Sequence, residues 1–351
     1  MQFDLMIYGS YGYTGSLMAK RMLDAGYRIL IAGRDARALR SQCDRIGVHG
    51  AVFSLGERKK ADDASQRVPL VLNCAGPFVH TAPPLVEACL RAGTHYLDIT
   101  GEPRVIESLA ERDAAARSRG VMILPGMGFD VVPGDCLACH LKRRLPSATH
   151  LSLAFRSRGR PSRGTVRSAL MHADEPGMIR EAGELKGVPA GSISRRIDFG
   201  DGERHAVAIP WGELASAYYS TGVANIVTYM AAPRYAGTML TLAGKLSRLL
   251  AARPAQAALS WMTRLLPPGP NARQRGEGST RFWGEARDEA GGHQEARLAA
   301  MEAYDLTVEA ILAAVGRILG GGATPGFVTP AMAFGPDFAA SLPGVSWIDK
   351  E

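Results

Sequence analysis

No run in this sequence is both apolar and long enough to suggest a membrane span. The longest stretch without a charge, Leu214 to Pro233, is interrupted by Ser, Thr, Asn, Gly and Tyr, and reads as sheet and loop. No basic-then-apolar leader precedes the first strand, so secretion and stable membrane insertion are not expected and a cytoplasmic location is. Cysteines are few and odd in number, five in 351 residues, which argues against a disulfide framework and fits a reducing compartment. Aromatic residues make up 7% of the chain and are not interleaved with the arginines, so bases would have no stacking platform and nucleic-acid binding is not expected. No metal site is expected either. Cys136-Leu137-Ala138-Cys139-His140 does match the haem-attachment pattern. That attachment needs export, however, and the segment reads as an amphipathic helix starting after Pro133-Gly134, so both cysteines are read as structural.

What is present is a glycine turn in a telling place. Gly9-Ser10-Tyr11-Gly12-Tyr13-Thr14-Gly15 follows the apolar run Phe3 to Tyr8 and precedes a segment with apolar residues at 17, 18, 22, 23 and 25. Strand, glycine turn and helix N-terminus together form an anion site suited to a pyrophosphate. Gly9 permits the turn, Gly12 leaves room for the dinucleotide, and Gly15 allows close helix packing. A second strand, Arg28 to Ala32, ends in Gly33-Arg34-Asp35. An NAD-preferring site of this kind places an acid at that tip to bind the ribose hydroxyls. Arg34 instead suits a 2′-phosphate, and Asp35 suits the cap of the next helix, so NADP is the expected cofactor.

Strand and helix signals then alternate through Ala51–Ser54, Pro69–Asn73, a helix over 84–92, His95–Asp98, a helix over 103–119 and Val121–Leu124. This predicts an α/β fold, a Rossmann-type doubly wound parallel sheet with its ligand outside the carboxyl ends of the strands. Three loops at those ends become site candidates. Cys74-Ala75-Gly76-Pro77, made of small residues, would lie near a nicotinamide. The other two, 98–102 and 125–135, carry Asp98, Glu102, Asp130 and Asp135. Tyr96, Asp98, Glu102 and Asp130 are proton-donor candidates by position, and Asp135 is the expected helix cap.

At these loops the chain resembles the saccharopine dehydrogenase-like oxidoreductases, including their trans-acting enoyl reductase subgroup. The resemblance is carried by Gly9 to Gly15, Ala32-Gly33-Arg34, Asn73 to Phe78, Tyr96 to Glu102, Gly128-Phe129-Asp130 and, near the C-terminus, Thr329 to Gly335. It is dense over the first 135 residues and about the last fifty. It implies a dinucleotide-binding domain (1–134), an α+β substrate or oligomerisation domain (135–304) and a C-terminal segment (305–351) that packs back on the first. It also implies an NADPH-dependent reductase acting on an enoyl thioester linked to CoA or to a polyketide or fatty-acid carrier protein.

Two alternatives stay open. One is reduction of an imine joining two amino acids, which would need two buried arginines, with Arg156 and Arg163 as candidates. The other is a cofactor-binding protein without catalysis, acting as partner or sensor. Arginines 156, 158, 160, 163 and 167, with Lys142-Arg143-Arg144, form either a solvated basic face or a landing surface for an acidic acyl carrier protein. In the second half, strands are read at 149–155, 280–287 and 295–303 and a helix at 306–319. Thr238 to Leu266 reads as an apolar helix whose role as lid, homodimer contact, membrane-surface contact or core element is open.

Overall fold

The apolar runs of the first 130 residues become short strands, buried except for the edge strand at 49–52, and the segments between them become helices. In chain order these are β1 (Leu5–Tyr8), α1 (Tyr13–Asp24), β2 (Ile29–Gly33), α2 (Ala36–Ile46), β3 (His49–Val52), α3 (Arg58–Ser65) and β4 (Leu70–Asn73). There follow α4 (Phe78–Ala92), β5 (His95–Asp98), α5 (Pro103–Ala110), α6 (Asp113–Ser118) and β6 (Met122–Leu124). The computed structural model describes residues 2–166, 176–237 and 267–349.

Beyond β6 come α7 (Val132–Arg144), β7 (His150–Arg158), β8 (Gly177–Glu181), β9 (Glu184–Val188), β10 (Ser194–Asp198), β11 (Glu203–Ala208), α8 (Glu213–Thr221) and β12 (Asn225–Ala231). The chain continues through α9 (Ala272–Gly276), β13 (Ser279–Arg287), β14 (His293–Ala300), α10 (Ala303–Arg317), β15 (Gly326–Phe327), α11 (Pro330–Phe334) and β16 (Ser346–Trp347). The apolar segment expected over 238–266 lies outside the described residues.

Two compact units result. The first comprises Met1–Asp130 and Thr307–Ala333, the second Val131–Leu306 and Phe334–Glu351. In the first unit, seven parallel strands run in the order β15-β6-β5-β4-β1-β2-β3. The chain leaves β1 toward β2 on one side and returns to β4 on the other. That reversal opens a crevice at the carboxyl ends of β1 and β4, the place where a dinucleotide binds in folds of this order. The architecture is α/β, Rossmann-like, with a second domain built on a mixed sheet.

In the second unit the described residues form a nine-stranded sheet, β10-β11-β12-β7-β13-β14-β16, with the β8–β9 hairpin joined to β12. Only β12 and β7 run parallel among these pairs. Helix α7 lies on one face. A side chain at Gly284 of β13 would strike Leu137 and Leu141 of that helix. Residues of the opposite parity, including Ala154, Tyr229, Trp283 and Ile197, form a separate apolar cluster.

Several expectations need correction. The C-terminal segment does not pack back as a whole: only Thr307–Ala333 joins the first unit, because β16 pairs with β14 and the Trp347 ring stacks on His140 of α7. Asp135 does not cap α7. It sits inside the first turn, fully buried, and accepts a hydrogen bond from the Ser220 hydroxyl at 2.8 Å. Strand β3 begins two residues before the expected run. Phe53 is buried past its end, where its ring meets Tyr8 at 5.2 Å. Helix α4 starts at Phe78, not 84, despite Pro83 and Pro84. The single helix read over 103–119 is two, and β15 was not foreseen at all.

Candidate functional site

The glycine turn is held by packing on both sides. Gly9 has φ +78°, and a Cβ there would come within 2.7 Å of the Ala75 Cβ, so the turn and the loop after β4 touch directly. Gly15 is closed in by the Gly9 carbonyl of its own turn, which is why the helix can start so near the strand. Helix α1 then begins at Tyr13 with Gly12 as N-cap, with no side-chain cap and no acid in its first turn. Such an N-terminus suits an anionic group, so the fold and this turn fit a dinucleotide pyrophosphate. Buried Gln42 of α2 clamps the turn from behind, accepting from the Ser10 hydroxyl at 2.8 Å and donating to the Ser10 carbonyl at 2.9 Å.

At the tip of β2, Arg34 is exposed and makes no hydrogen bond or ion pair among the described residues. Asp35 is the N-cap of α2, its carboxylate accepting the amides of Arg37 and Ala38, each at 3.0 Å. The cap thus engages Oδ1 of this carboxylate.

The four proton-donor candidates divide sharply. Tyr96 and Asp98 alternate onto one face of β5 and are fully buried. The Tyr96 hydroxyl donates to Asp98 Oδ2 at 2.8 Å and accepts from Asn73 Nδ2 at 3.1 Å. Asp98 Oδ1 accepts the amides of Thr100 and Gly126, each at 2.9 Å, and its carbonyl accepts that of Met127 at 2.7 Å. Burial pushes the Asp98 carboxyl up to about 6, although these hydrogen bonds pull the other way. The pair therefore ties the ends of β4, β5 and β6 together. Glu102 is occupied as well: its carboxylate accepts the amides of Phe78 and Val79 at the start of α4.

Asp130 differs from all three. Its carboxylate accepts no hydrogen bond among the described residues, and it lies flush against Gly101, whose added Cβ would be 2.9 Å from Oδ2. The side chain is half-buried, and burial alone pushes its carboxyl up to about 7. The loop that carries it is rigidly held, by Asp98 at Gly126 and by the Thr307 hydroxyl, which accepts the Phe129 amide at 3.0 Å.

The loop Cys74 to Pro77 is braced by Asn73 Oδ1, which accepts the Ala75 amide at 3.0 Å, and by the Thr81 hydroxyl, which donates to the Ala75 carbonyl at 2.5 Å. Burial raises the Cys74 thiol far above its usual range, so it is no ready nucleophile. Tyr13 and Thr14 stand in the first turn of α1. Sequence reading missed the parts played by Asn73, Thr81 and Thr307. Asn73 at a strand end before a small-residue loop was a usable signal, whereas Thr307 gave none.

Elsewhere several charges are matched. Arg156 pairs with Asp201 at 2.5 Å, Arg143 with Asp337 at 3.2 Å, and Lys142 donates to the Pro146 and Ala148 carbonyls. Glu285, His293 and Glu295 bring ligand-type atoms within 4.8 Å of one another. Arg195 and Arg287 already bind Glu285, however, and hold its carboxyl down to about 2. All five cysteines are free thiols, with Cys136 and Cys139 facing the carbonyls of Gly335 and Ser220. No helix among the described residues is long and apolar enough to cross a membrane.

Over 151 residues the chain is 31% identical to a trans-acting enoyl reductase of Mycobacterium ulcerans, covering 41% of this chain and 36% of that protein. A trans-acting enoyl reductase of Mycobacterium bovis is 32% identical over the same length, with the same coverage. The match thus spans about a third of the relatives' own length. In structure, the chain is similar to apo saccharopine dehydrogenase (L-Glu forming) from Saccharomyces cerevisiae, with a TM-score of 0.66 over 99% of this chain and 100% of that one. At 8% identity that likeness is one of fold. Residues 5–124 match the saccharopine dehydrogenase NADP binding domain, and that stretch holds β1 to β6, the glycine turn and Arg34.

Proposed function

We propose that this chain is an NADPH-dependent reductase that adds hydride to an activated double bond, with an enoyl thioester on CoA or a carrier protein, of the kind used in polyketide and lipid assembly, as its substrate. The observation that carries the reading is Asp130. Of the four candidates at the strand ends it alone has an unengaged carboxyl, and that carboxyl is pushed up to about 7, so it holds a proton near neutral pH. Tyr96, Asp98 and Glu102, whose polar groups are already hydrogen-bonded, hold its surroundings in place.

The nicotinamide, when bound, supplies the hydride. The chain's own residues do the rest. Gly9, Gly12 and Gly15, with Tyr13 and Thr14 in the first turn of α1, hold the pyrophosphate. Arg34 beside Gly33 binds the 2′-phosphate, and Cys74, Ala75, Gly76 and Pro77 leave room for the nicotinamide ring. Asp130 gives its proton to the carbon beside the thioester carbonyl, completing the addition of a hydride and a proton across the double bond. The enoyl substrate is drawn from the name of the mycobacterial relatives.

The imine-reducing alternative asked for two buried arginines to hold carboxylates. One of its candidates, Arg156, is committed to Asp201. Turnover separates the readings. NADPH consumption with a crotonyl-type thioester, and none with glutamate plus an aldehyde, is expected. The reverse would assign the chain to imine reduction, and consumption with neither would leave a cofactor-binding partner or sensor.

A further inference from the structure

Tyr11 lies across the tip of β2. Gly33 carries no side chain there because the Tyr11 ring occupies its place: an added Cβ would fall onto Cε1 of the ring. The Tyr11 hydroxyl accepts the Asp35 amide at 3.2 Å. Hydrogen-bond direction then matters. A phenol has one proton to donate, and accepting the Asp35 N–H fixes the oxygen while leaving that proton available. The Asp35 carboxylate turns Oδ1 to the amides of Arg37 and Ala38, and among the described residues the Tyr11 hydroxyl donates no hydrogen bond to it. Arg34, between Gly33 and Asp35, is exposed and makes no hydrogen bond or ion pair among the described residues. Tyr11 and Arg34 also share surroundings. Both act electrostatically on the Tyr8 hydroxyl, which burial pushes up to about 12, with Tyr11 adding to the rise and Arg34 opposing it.

We infer that Tyr11 is a second recognition residue for the 2′-phosphate of an adenosine nucleotide, its hydroxyl oriented by the Asp35 amide and donating to the phosphate while Arg34 supplies the opposing charge. This inference rests on the NADP reading of the site. It assigns Tyr11 a specificity role that a ring packed on a strand tip would not have. A hydrogen bond to a charged oxygen is worth more than a neutral one, so loss of the hydroxyl is felt only by ligands that carry the extra phosphate.

Calorimetric titration of the full chain with 2′,5′-ADP and with 5′-AMP tests this without any turnover. The unsubstituted protein should prefer 2′,5′-ADP. Tyr11→Phe keeps the ring over Gly33 and removes only the hydroxyl. It should lose about tenfold for 2′,5′-ADP and stay within twofold for 5′-AMP. Arg34→Ala should lose roughly ten- to a hundredfold for 2′,5′-ADP alone. Unchanged binding in Tyr11→Phe beside a loss in Arg34→Ala would remove Tyr11 from the site and leave the NADP reading standing. Equal losses for both ligands in Tyr11→Phe would make its role structural. Equal or absent binding of the two ligands by the unsubstituted protein would overturn the NADP reading and this inference together.

Discussion

Glu102 closes the N-terminal end of the helix that starts at Phe78: its two carboxylate oxygens accept the Phe78 amide at 2.8 Å and the Val79 amide at 3.1 Å. A negative acceptor at that position gains from the hydrogen bonds and from the helix dipole together. Glu102→Ala should therefore lower the unfolding free energy by about 1–2 kcal/mol, and Glu102→Gln, which keeps an acceptor oxygen, should recover part of it. Urea unfolding measures both. Identical midpoints for Ala and the unsubstituted chain would rule out the cap.

Asp130 should show a conflict between stability and activity. Its carboxyl is pushed from 3.8 up to about 7, so the folded chain holds this proton more tightly than the unfolded one. The associated stability is fully present below about pH 4 and is lost as pH rises through about 7. Asp130→Asn removes that loss. It should be more stable than the unsubstituted chain by on the order of 1 kcal/mol at pH 8 and no more stable at pH 4. Turnover should collapse in the same variant, and in the unsubstituted enzyme it should decline above about pH 7. Melting temperatures that differ equally at the two pH values would refute the linkage.

The opposite slope belongs to His95. Its Nδ1 accepts the Met122 amide at 3.1 Å, and burial lowers its pKa below 6.5. Protonation removes that acceptor. The contribution is present above about 6.5 and lost as pH falls through the lowered value. Between pH 7 and pH 5 the unsubstituted chain should lose more stability than His95→Gln. Parallel pH profiles for the two proteins would show that this ring does not titrate on unfolding.

Cys139 faces the Ser220 carbonyl at 3.7 Å, and burial pushes its thiol up to about 12. A serine keeps a donor at that place. Cys139→Ser should leave turnover within a few-fold, and purified protein should hold no covalent haem. A Soret band surviving denaturation, or loss of activity beyond tenfold, would reinstate the C-x-x-C-H motif as functional.

Arg158 has 65% of its side chain exposed and stands 3.9 Å from Asp201, while Arg160 is exposed beside it. If these residues receive an acidic carrier, Arg158→Glu with Arg160→Glu should raise KM for carrier-linked substrate severalfold. A short pantetheine thioester should be nearly unaffected. Added salt should imitate the double substitution, since screening acts over about 10 Å at 0.1 M. Equal effects on both substrates would place the arginines outside any docking surface.

The parallel sheet was legible because its strands are continuous apolar runs separated by helical periods, and strand β5 falls at 95–98 as read. The start of α4 was not, since Pro83 and Pro84 signal a helix beginning at 84. Glu102, distant in sequence, supplies the anchor that lets the helix begin six residues earlier. Tyr96 and Asp98 are proton-donor candidates by position. Their spacing of two on a strand already placed both side chains on one face, and only the fold reveals that this face is closed. Asp130 could be named from sequence but not singled out, because what distinguishes it is that, among the described residues, its carboxylate accepts none of the hydrogen bonds that engage its neighbours.

The last strand of the first unit, β15, pairs with β6 from about two hundred residues downstream, Gly326 beside Met122 and Phe327 beside Ile123. During synthesis β6 therefore emerges with an unpaired edge, which is covered only after most of the remaining chain has been made. An excised fragment ending near residue 130 would keep the glycine turn and Arg34, yet it would expose that edge to other copies of itself. Expression of the nucleotide-binding unit alone should accordingly give aggregates unless residues 307–333 are supplied, either fused or as a second chain.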